Sequence, residues 1–260
     1  MSKKKSTATR RAEQLTASRQ AATLREEQER QTRRRRIYVV GGGLAALLIL
    51  LLGVGFAVQS SRDPTGQVAR PPSGVVGQYA VARGDAEAPV TITVYEDFMC
   101  TFCGDLEAAS GELFEEYVDG GDVRVEYRVV SFLDRASDGS DYSTRAMNAL
   151  GVVLDTAGVD PALRFHDLLF VEQPEEGTTG PSDEDLVRLA AKAGAQEVDV
   201  AAAIRDRKFE PWVLNATEAA SEDEVDRTPT VLVEGETLEY ETIDDLVRQI
   251  RTAVDSAAAS

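Results

Sequence analysis

The sequence predicts an α/β fold that carries an inserted helical subdomain and follows a single transmembrane helix. Three observations support this prediction: an uncharged run of 22 residues near the N-terminus, strand and helix patterns that alternate on both sides of a long helical stretch, and two strand patterns around a short turn near the C-terminus. The predicted boundaries are 1–36 for a basic tail, 37–58 for the transmembrane helix, 59–77 for a Pro- and Gly-rich flexible linker, and 78–256 for the folded domain, with the helical insertion at about 135–222.

The uncharged run extends from Ile37 to Val58. As an α-helix it would span roughly 33 Å, enough for a bilayer core of about 30 Å. A cleaved signal peptide is the alternative interpretation. However, the 36 residues before the run are more than the charged region of a signal peptide contains, and the run itself is longer than a signal peptide's apolar region. Only a poor cleavage site lies near Ala57. The pattern therefore favours an uncleaved signal anchor.

Charge differs sharply between the two sides of this run. The 36 residues before it contain twelve Lys or Arg against four acids, and the residues after it contain 16 against 41, a net charge of −25. Basic flanks remain in the cytoplasm, so we expect a cytoplasmic N-terminus and an extracytoplasmic domain at the cell membrane. A basic tail could also bind nucleic acid, but this one contains no aromatic residue and no recognisable binding fold. We expect no nucleic-acid partner.

The folded domain begins with a strand, a helix and a second strand. Val90 to Tyr95 is a β-branched run typical of a strand, and apolar residues at helical spacing from Cys103 to Val118 predict a helix that stops at Gly120-Gly121. Asp122 to Val130 alternates as a second strand. Such a crossover places its two strands parallel and adjacent in one sheet.

A helical block of about 80 residues comes next. Helical spacing over Tyr142 to Thr156, a first-turn proline at Pro161 and a capping box at Ser182 predict separate helices. Val198 to about Ala220 predicts one further helix, bent at Pro211. A block of this length is too long for a loop and must pack on the sheet as a subdomain.

The domain ends with two strands and a helix. Thr230 to Glu234 and Thr237 to Tyr240 flank Gly235-Glu236, which predicts a hairpin with a two-residue turn. Ile243 to Val254 has the spacing of an amphipathic helix. The order of elements is therefore β-α-β, a helical block, and β-β-α.

The two cysteines of the chain, Cys100 and Cys103, lie where the first strand passes into the first helix. Unpaired N–H groups and the dipole at a helix start lower the pKa of a thiol there, and the thiolate is the attacking species. Cys103 follows one turn later, close enough to resolve a mixed disulfide. We predict dithiol–disulfide exchange, with Cys100 as the attacking thiol and Cys103 as the resolving thiol.

Three other interpretations of the cysteine pair are weaker. A zinc site needs a second pair of Cys or His ligands, and His166 is the only histidine. A structural disulfide at this spacing closes too small a loop to gain much entropy. Two free buried thiols do not suit a compartment outside the cytoplasm. We therefore expect neither a metal nor a cofactor.

The chain resembles the DsbA-like thioredoxin-fold thiol–disulfide oxidoreductases, particularly the membrane-anchored bacterial type, over about 78–254. The segment Glu96-Asp-Phe-Met-Cys-Thr-Phe-Cys103 after a strand, the helical insertion and Thr228-Pro-Thr230 before the last hairpin carry this resemblance. It implies a thioredoxin fold that contains the inserted helical subdomain. It also implies reduced client proteins as substrates and a quinone-coupled membrane protein of the DsbB or VKOR kind as the partner that reoxidises the pair.

The resemblance also implies a substrate-binding surface around the thiols. Pro229 would be a cis-proline that faces them, and a cis bond would leave the backbone of Thr228 free to pair with a substrate strand beside Cys100. An ordinary trans proline at a strand start is the alternative. Thr101 and Phe102, between the two cysteines, are assigned to substrate binding as well.

Two departures from the family pattern affect the chemistry. Thr101 and Phe102 stand where the best-known oxidants have Pro-His, and Phe102 cannot donate to sulfur, so a less oxidising disulfide is expected. Val94 occupies the position of the buried acid of thioredoxin-like sites. Asp97 matches an acid common just before the motif and is the catalytic candidate near the thiols. Glu96 and Asp97 each also suit an exposed turn, which we expect for at least one of them.

Two residues of the predicted insertion have no assigned catalytic role. His166 is expected to be a helix residue half in solvent, and Trp212 is expected to lie in the helical core. The sequence thus predicts a monomeric, single-pass enzyme that introduces disulfides into secreted or membrane proteins. A disulfide reductase or isomerase, and a redox-silent binding module of the same fold, are the alternatives.

Overall fold

The structure is a computed structural model that describes residues 69–196 and 198–258. The predicted basic tail, the transmembrane helix and the linker up to residue 68 lie outside the described residues. Within the described ranges, no helix is both long enough and apolar enough to cross a bilayer.

Five strands of the described residues form one mixed sheet, in the order β1-β3-β2-β4-β5. Their bounds are Val81–Arg83 (β1), Val90–Glu96 (β2), Val123–Val129 (β3), Thr230–Val233 (β4) and Glu236–Thr237 (β5). The parallel pairing of β2 with β3 confirms the predicted β-α-β crossover. β4 pairs antiparallel with β2, and the unpredicted β1 pairs antiparallel with β3. β2 therefore lies at the centre of the sheet.

The described residues contain seven α-helices and one short 3₁₀ helix, Asp134–Ala136. The α-helices are Thr101–Gly120 (α1), Tyr142–Ala157 (α2), Val159–Val171 (α3), Asp183–Ala193 (α4), Val198–Arg205 (α5), Glu210–Glu222 (α6) and Ile243–Ala258 (α7). α1 ends as predicted, because Gly121 takes the left-handed conformation that closes a helix. The predicted capping box of Ser182 with Asp185 starts α4. Helices α2 to α6 form the predicted insertion between β3 and β4.

The buried apolar side chains of the described residues form two large cores and one small cluster. The first joins α1 and α7 to the sheet and includes Val94. The second lies among the inserted helices and includes Trp212, as predicted. Phe98 and Met99, which precede the first cysteine, are fully buried in this second core. Burial of such side chains stabilises the fold by about 1.5–3 kcal/mol each, so the turn is anchored on the insertion.

Two predicted elements differ from the structure. The single helix expected from Val198 to Ala220 is two helices, and Pro211 lies in the first turn of the second, where its missing N–H is not needed. The last hairpin turns at Glu234 and Gly235 rather than at Gly235 and Glu236. Both turn residues have positive φ, 51° and 81°, which matches the twist of a two-residue hairpin.

Gly84, directly after β1, provides a test of the backbone at the sheet edge. Its φ is +103°, and an added Cβ would lie 2.7 Å from the Val123 carbonyl oxygen of β3. We expect Gly84→Ala to lower the free energy of unfolding by about 2 kcal/mol or more, because it combines backbone strain with a backbone clash. Gly139→Ala is the matched control, since Gly139 has φ +78° and open space around its Cβ position. It should cost only about 1 kcal/mol in urea unfolding. Equal losses of stability in the two variants would contradict the prediction, because the clash at Gly84 would then contribute nothing.

Candidate active site

Cys100 is the N-cap residue of α1. The backbone N–H groups of Cys103 and Gly104 donate to its carbonyl oxygen at 3.0 and 3.2 Å, which starts the helix. Both cysteines are free thiols in the structure. The sequence prediction that the motif begins a helix directly after the central strand is confirmed.

The two thiols have opposite acidities. Hydrogen bonds with Cys103 and Thr228 together lower the pKa of Cys100 to about 7, against the opposing effect of burial. Burial raises the pKa of Cys103 well above its usual value, and the neighbouring Cys100 adds to the rise. Cys100 is 4% exposed and Cys103 only 1%. Cys100 is therefore suited to act as the nucleophile, with Cys103 held beneath it.

The Thr228–Pro229 peptide bond is cis, as the resemblance implied. The Cys100 thiol donates to the Thr228 carbonyl oxygen at 3.3 Å, and the Tyr240 hydroxyl donates to the Pro229 carbonyl oxygen at 2.7 Å. Pro229 is buried and Thr228 is half-buried. The structure thus brings the predicted docking residues against the predicted nucleophile.

The two residues between the cysteines are exposed. Phe102 is 63% exposed, and Val171 is the other strongly exposed large apolar side chain among the described residues. The Thr101 N–H donates to Glu176 Oε1 at 3.1 Å. Thr101 and Phe102 thus form an exposed surface beside Cys100.

The segment after α3 holds the cysteine turn in place, which was not predicted. Gln173 Nε2 donates to the carbonyl oxygens of Phe98 at 3.2 Å and Cys100 at 2.9 Å. A Cβ at Gly104 would lie 2.2 Å from Gln173 Oε1, so glycine makes room for this contact. Gln173 and Glu176 lie in a polar loop without periodicity, and no pattern in the sequence could identify them.

Asp97 and Glu96 are both fully buried, so the expectation that at least one would be exposed is wrong. Asp97 accepts hydrogen bonds from the Met99 N–H at 2.8 Å, the Leu133 N–H at 2.9 Å and the Ser143 hydroxyl at 2.6 Å. Burial raises the pKa of Asp97 to about 6. The hydrogen bonds of the Asp97 carboxyl group link the cysteine turn to the insertion and do not involve sulfur. Its negative charge opposes ionisation of the Cys100 thiol.

His166 is 1% exposed, so the expectation that it lies half in solvent is also wrong. Its Nε2 lies 2.6 Å from Glu96 Oε1 and its Nδ1 lies 3.0 Å from Asp167 Oδ1. Burial lowers the pKa of His166, but Glu96, Asp167 and Glu107 outweigh burial and raise it to about 10. Because 70 residues separate His166 from Glu96, the sequence offered no sign of the pairing.

The acidity of Cys100 predicts how its reactivity depends on pH. The pKa is lowered to about 7, so the thiol form dominates below that pH and the thiolate above it. Alkylation of the reduced protein by iodoacetamide should therefore rise through a midpoint near pH 7, as measured by mass spectrometry between about pH 5 and 9. Cys103→Ala should shift the midpoint upward, because it removes the group that donates to Cys100. A wild-type midpoint near the ordinary value of about 8.5 would contradict the geometry.

A nucleophilic thiol at a helix start, a buried second thiol and a cis-proline peptide beside them define a thiol–disulfide oxidoreductase. A family model described as thioredoxin matches residues 77–252, and the chain belongs to this family. The described domain is accordingly a thioredoxin-like α/β fold with a helical insertion.

Solved structures of similar sequence are DsbA-type enzymes. The chain is 31% identical to reduced DsbA from Mycobacterium tuberculosis, with 69% of this chain and 98% of that chain covered and a TM-score of 0.56. Reduced DsbG, a disulfide bond oxidoreductase of the same organism, is 31% identical, with 76% and 98% covered and a TM-score of 0.58. MdbA from Corynebacterium diphtheriae, a thiol–disulfide oxidoreductase, is 25% identical, with 70% and 96% covered and a TM-score of 0.57.

Curated relatives match over a shorter part of their length. The Na⁺/H⁺ antiporter NhaA 3 of Salinispora tropica is 30% identical over 153 residues, which are 59% of this chain and 21% of the antiporter. The serine/threonine-protein kinase PknE of Mycobacterium tuberculosis is 31% identical over 118 residues, which are 44% of this chain and 20% of the kinase. The chain thus spans about a fifth of the length of these relatives, and the similarity concerns one segment of each.

Proposed function

We propose that this enzyme is a membrane-anchored, extracytoplasmic oxidase that introduces disulfides into client proteins. The observation that carries the proposal is the contact between Cys100 Sγ and the Thr228 carbonyl before the cis-proline. An extended client segment that pairs with the backbone of Thr228 would present its cysteine directly to Cys100. The exposed Phe102 adds an apolar contact beside the same position.

The proposed reaction starts from the disulfide form of Cys100 and Cys103. A client thiolate attacks Cys100 Sγ, so that a mixed disulfide forms and Cys103 leaves as a thiolate. A second client thiolate then attacks the client sulfur of the mixed disulfide and releases Cys100. The client loses two electrons and two protons and gains a disulfide, and the enzyme is left as a dithiol.

The extracytoplasmic location and the redox partner belong to the same proposal. The uncharged run from Ile37 to Val58, preceded by Arg33 to Arg36, supports a cytoplasmic N-terminus and a catalytic domain on the other side of the membrane. The chain contains no cysteine beyond the catalytic pair, so its two electrons must pass to another molecule. We assign this step to a quinone-coupled membrane protein of the DsbB or VKOR kind.

One observation favours a second candidate function, a disulfide reductase or isomerase. A pKa of about 7 for Cys100 is close to that of the attacking thiol of thioredoxin and exceeds the value of about 3.5 in the oxidant DsbA. A less acidic attacking thiol stabilises the reduced form less, and the disulfide is then less oxidising. The reduction potential therefore separates the two functions.

The test is the reduction potential of the Cys100–Cys103 pair in the full-length chain, equilibrated with glutathione buffers. We expect a value between about −200 and −120 mV, and a value near thioredoxin's −270 mV would overturn the oxidase in favour of a reductase. Phe102→His should raise the potential, because an imidazole can donate to the thiolate. Phe102→Leu is the control, since it alters the apolar surface without adding a donor.

A further inference from the structure

A second cluster of titratable side chains lies one helical turn from Cys103. Glu96 at the end of β2, Glu107 on α1 and His166 on α3 each place a possible ligand atom within 4.8 Å of the others. We propose that these three residues bind a divalent transition metal, with Zn²⁺ as the best match. Carboxylate oxygen and imidazole nitrogen are ligands that Zn²⁺ commonly takes, and three protein ligands leave one position for water.

The hydrogen bonds of His166 suit metal binding. Its Nδ1 lies 3.0 Å from Asp167 Oδ1, and Asp167 in turn accepts two hydrogen bonds from Arg83, at 2.9 and 3.0 Å. Histidine ligands usually donate their other ring N–H to a carboxylate, which fixes the tautomer and the ring orientation. Asp167 and Arg83 thus hold His166 with Nε2 directed at Glu96, 2.6 Å away.

Glu107 supplies an independent observation that points to a missing partner. Its Oε1 is buried and has no hydrogen-bond partner among the described residues. A buried carboxylate oxygen without a partner is costly, and a bound cation would satisfy it. Glu107 also lines a groove of about 420 Å³, together with Tyr127, Asp167 and Val171, through which an ion and its water ligand can reach the cluster.

The charges of the cluster match a divalent ion. The groups that face one another come from β1, β2, α1 and α3: Arg83, Glu96, Glu107, His166 and Asp167. His166 gives up its Nε2 proton when the metal binds, and three carboxylates against one guanidinium then leave a net charge of −2. One divalent cation balances this charge in a buried site, where an uncompensated charge has a large free-energy cost.

The test uses the full-length chain in its disulfide form, so that neither cysteine can bind metal. After treatment with a chelator, the protein is titrated with ZnCl₂ by calorimetry, and the loaded protein is measured by X-ray absorption. We expect one Zn²⁺ per chain with micromolar or tighter affinity and only nitrogen and oxygen ligands. Absence of binding would overturn the proposal, whatever the direction of electron flow in the enzyme.

Two matched variants locate the site. Glu107→Gln should weaken Zn²⁺ binding by at least about tenfold, because it replaces a charged ligand. It should still fold, because the Oε1 of Glu107 has no hydrogen bond to lose, and circular dichroism verifies this. Glu112→Gln removes the same charge from an exposed position of the same helix and should leave the affinity unchanged. Equal affinity of Glu107→Gln and wild type would place any bound Zn²⁺ elsewhere and refute the site.

Discussion

Cys100→Ser is expected to abolish disulfide exchange, with a loss of about a thousandfold or more in the rate of client oxidation. Cys100 is the thiol with the lowered pKa, and its Sγ contacts the docking peptide at Thr228. Cys103 cannot replace it, because its pKa is raised well above the usual value and little of it is thiolate at neutral pH. The rate is measured with a reduced model client and the purified full-length chain.

Cys103→Ser should behave differently from Cys100→Ser. Its Cys100 still attacks disulfides in clients and redox partners, but the resolving thiol is gone, so mixed disulfides should accumulate in cells. Non-reducing electrophoresis and mass spectrometry would identify the trapped proteins. The double variant with serine at both positions is the control and should trap none. A Cys103→Ser protein without adducts would contradict the assignment of the two thiols.

The parts of the fold that could be predicted are those with local causes. The β-branched run of β2, the helical spacing of α1 and the glycines after it depend only on neighbouring residues. The break between α5 and α6, by contrast, depends on a residue that is distant in the sequence. Buried Asn148 of α2 donates to the Ile204 carbonyl at 3.2 Å and accepts from the Phe209 N–H at 2.8 Å, so it satisfies both helix ends. The apolar spacing of the segment continues across the break and concealed it.

The active site likewise contains residues that could be predicted from local patterns and residues that could not. The cysteines and the cis-proline are recognisable because each occupies a defined place in a local motif. The burial of Glu96 was missed because β2 is a central strand whose last three residues, Val94, Tyr95 and Glu96, are all buried. Alternation between an inner and an outer face ends where the insertion covers the sheet, since both faces are then enclosed. In the sequence alone, Glu96 at the end of β2 has the pattern of an exposed turn residue. Only the structure shows that His166 pairs with it.

His166→Gln is expected to cause one of the largest losses of stability among single substitutions, about 3–5 kcal/mol in urea unfolding. The glutamine amide can replace a hydrogen bond to Glu96 but not the positive charge of the imidazolium. Glu96 would then be a fully buried carboxylate that has lost the positive charge directly paired with it. Measurements are made on the oxidised full-length chain with a chelator present, so that bound metal does not contribute.

The double variant Glu96→Gln/His166→Gln distinguishes an ion pair from simple packing. If the cost of His166→Gln comes from the stranded carboxylate, removing that carboxylate should recover a large part of it, and the interaction energy of the double-mutant cycle should exceed about 1 kcal/mol. Additive losses would mean that the two side chains act only by filling space. Glu115→Gln serves as the control, because its ion pair with Arg83 is 3.7 Å long and solvent-exposed on the glutamate side, so its loss should cost less than about 1 kcal/mol.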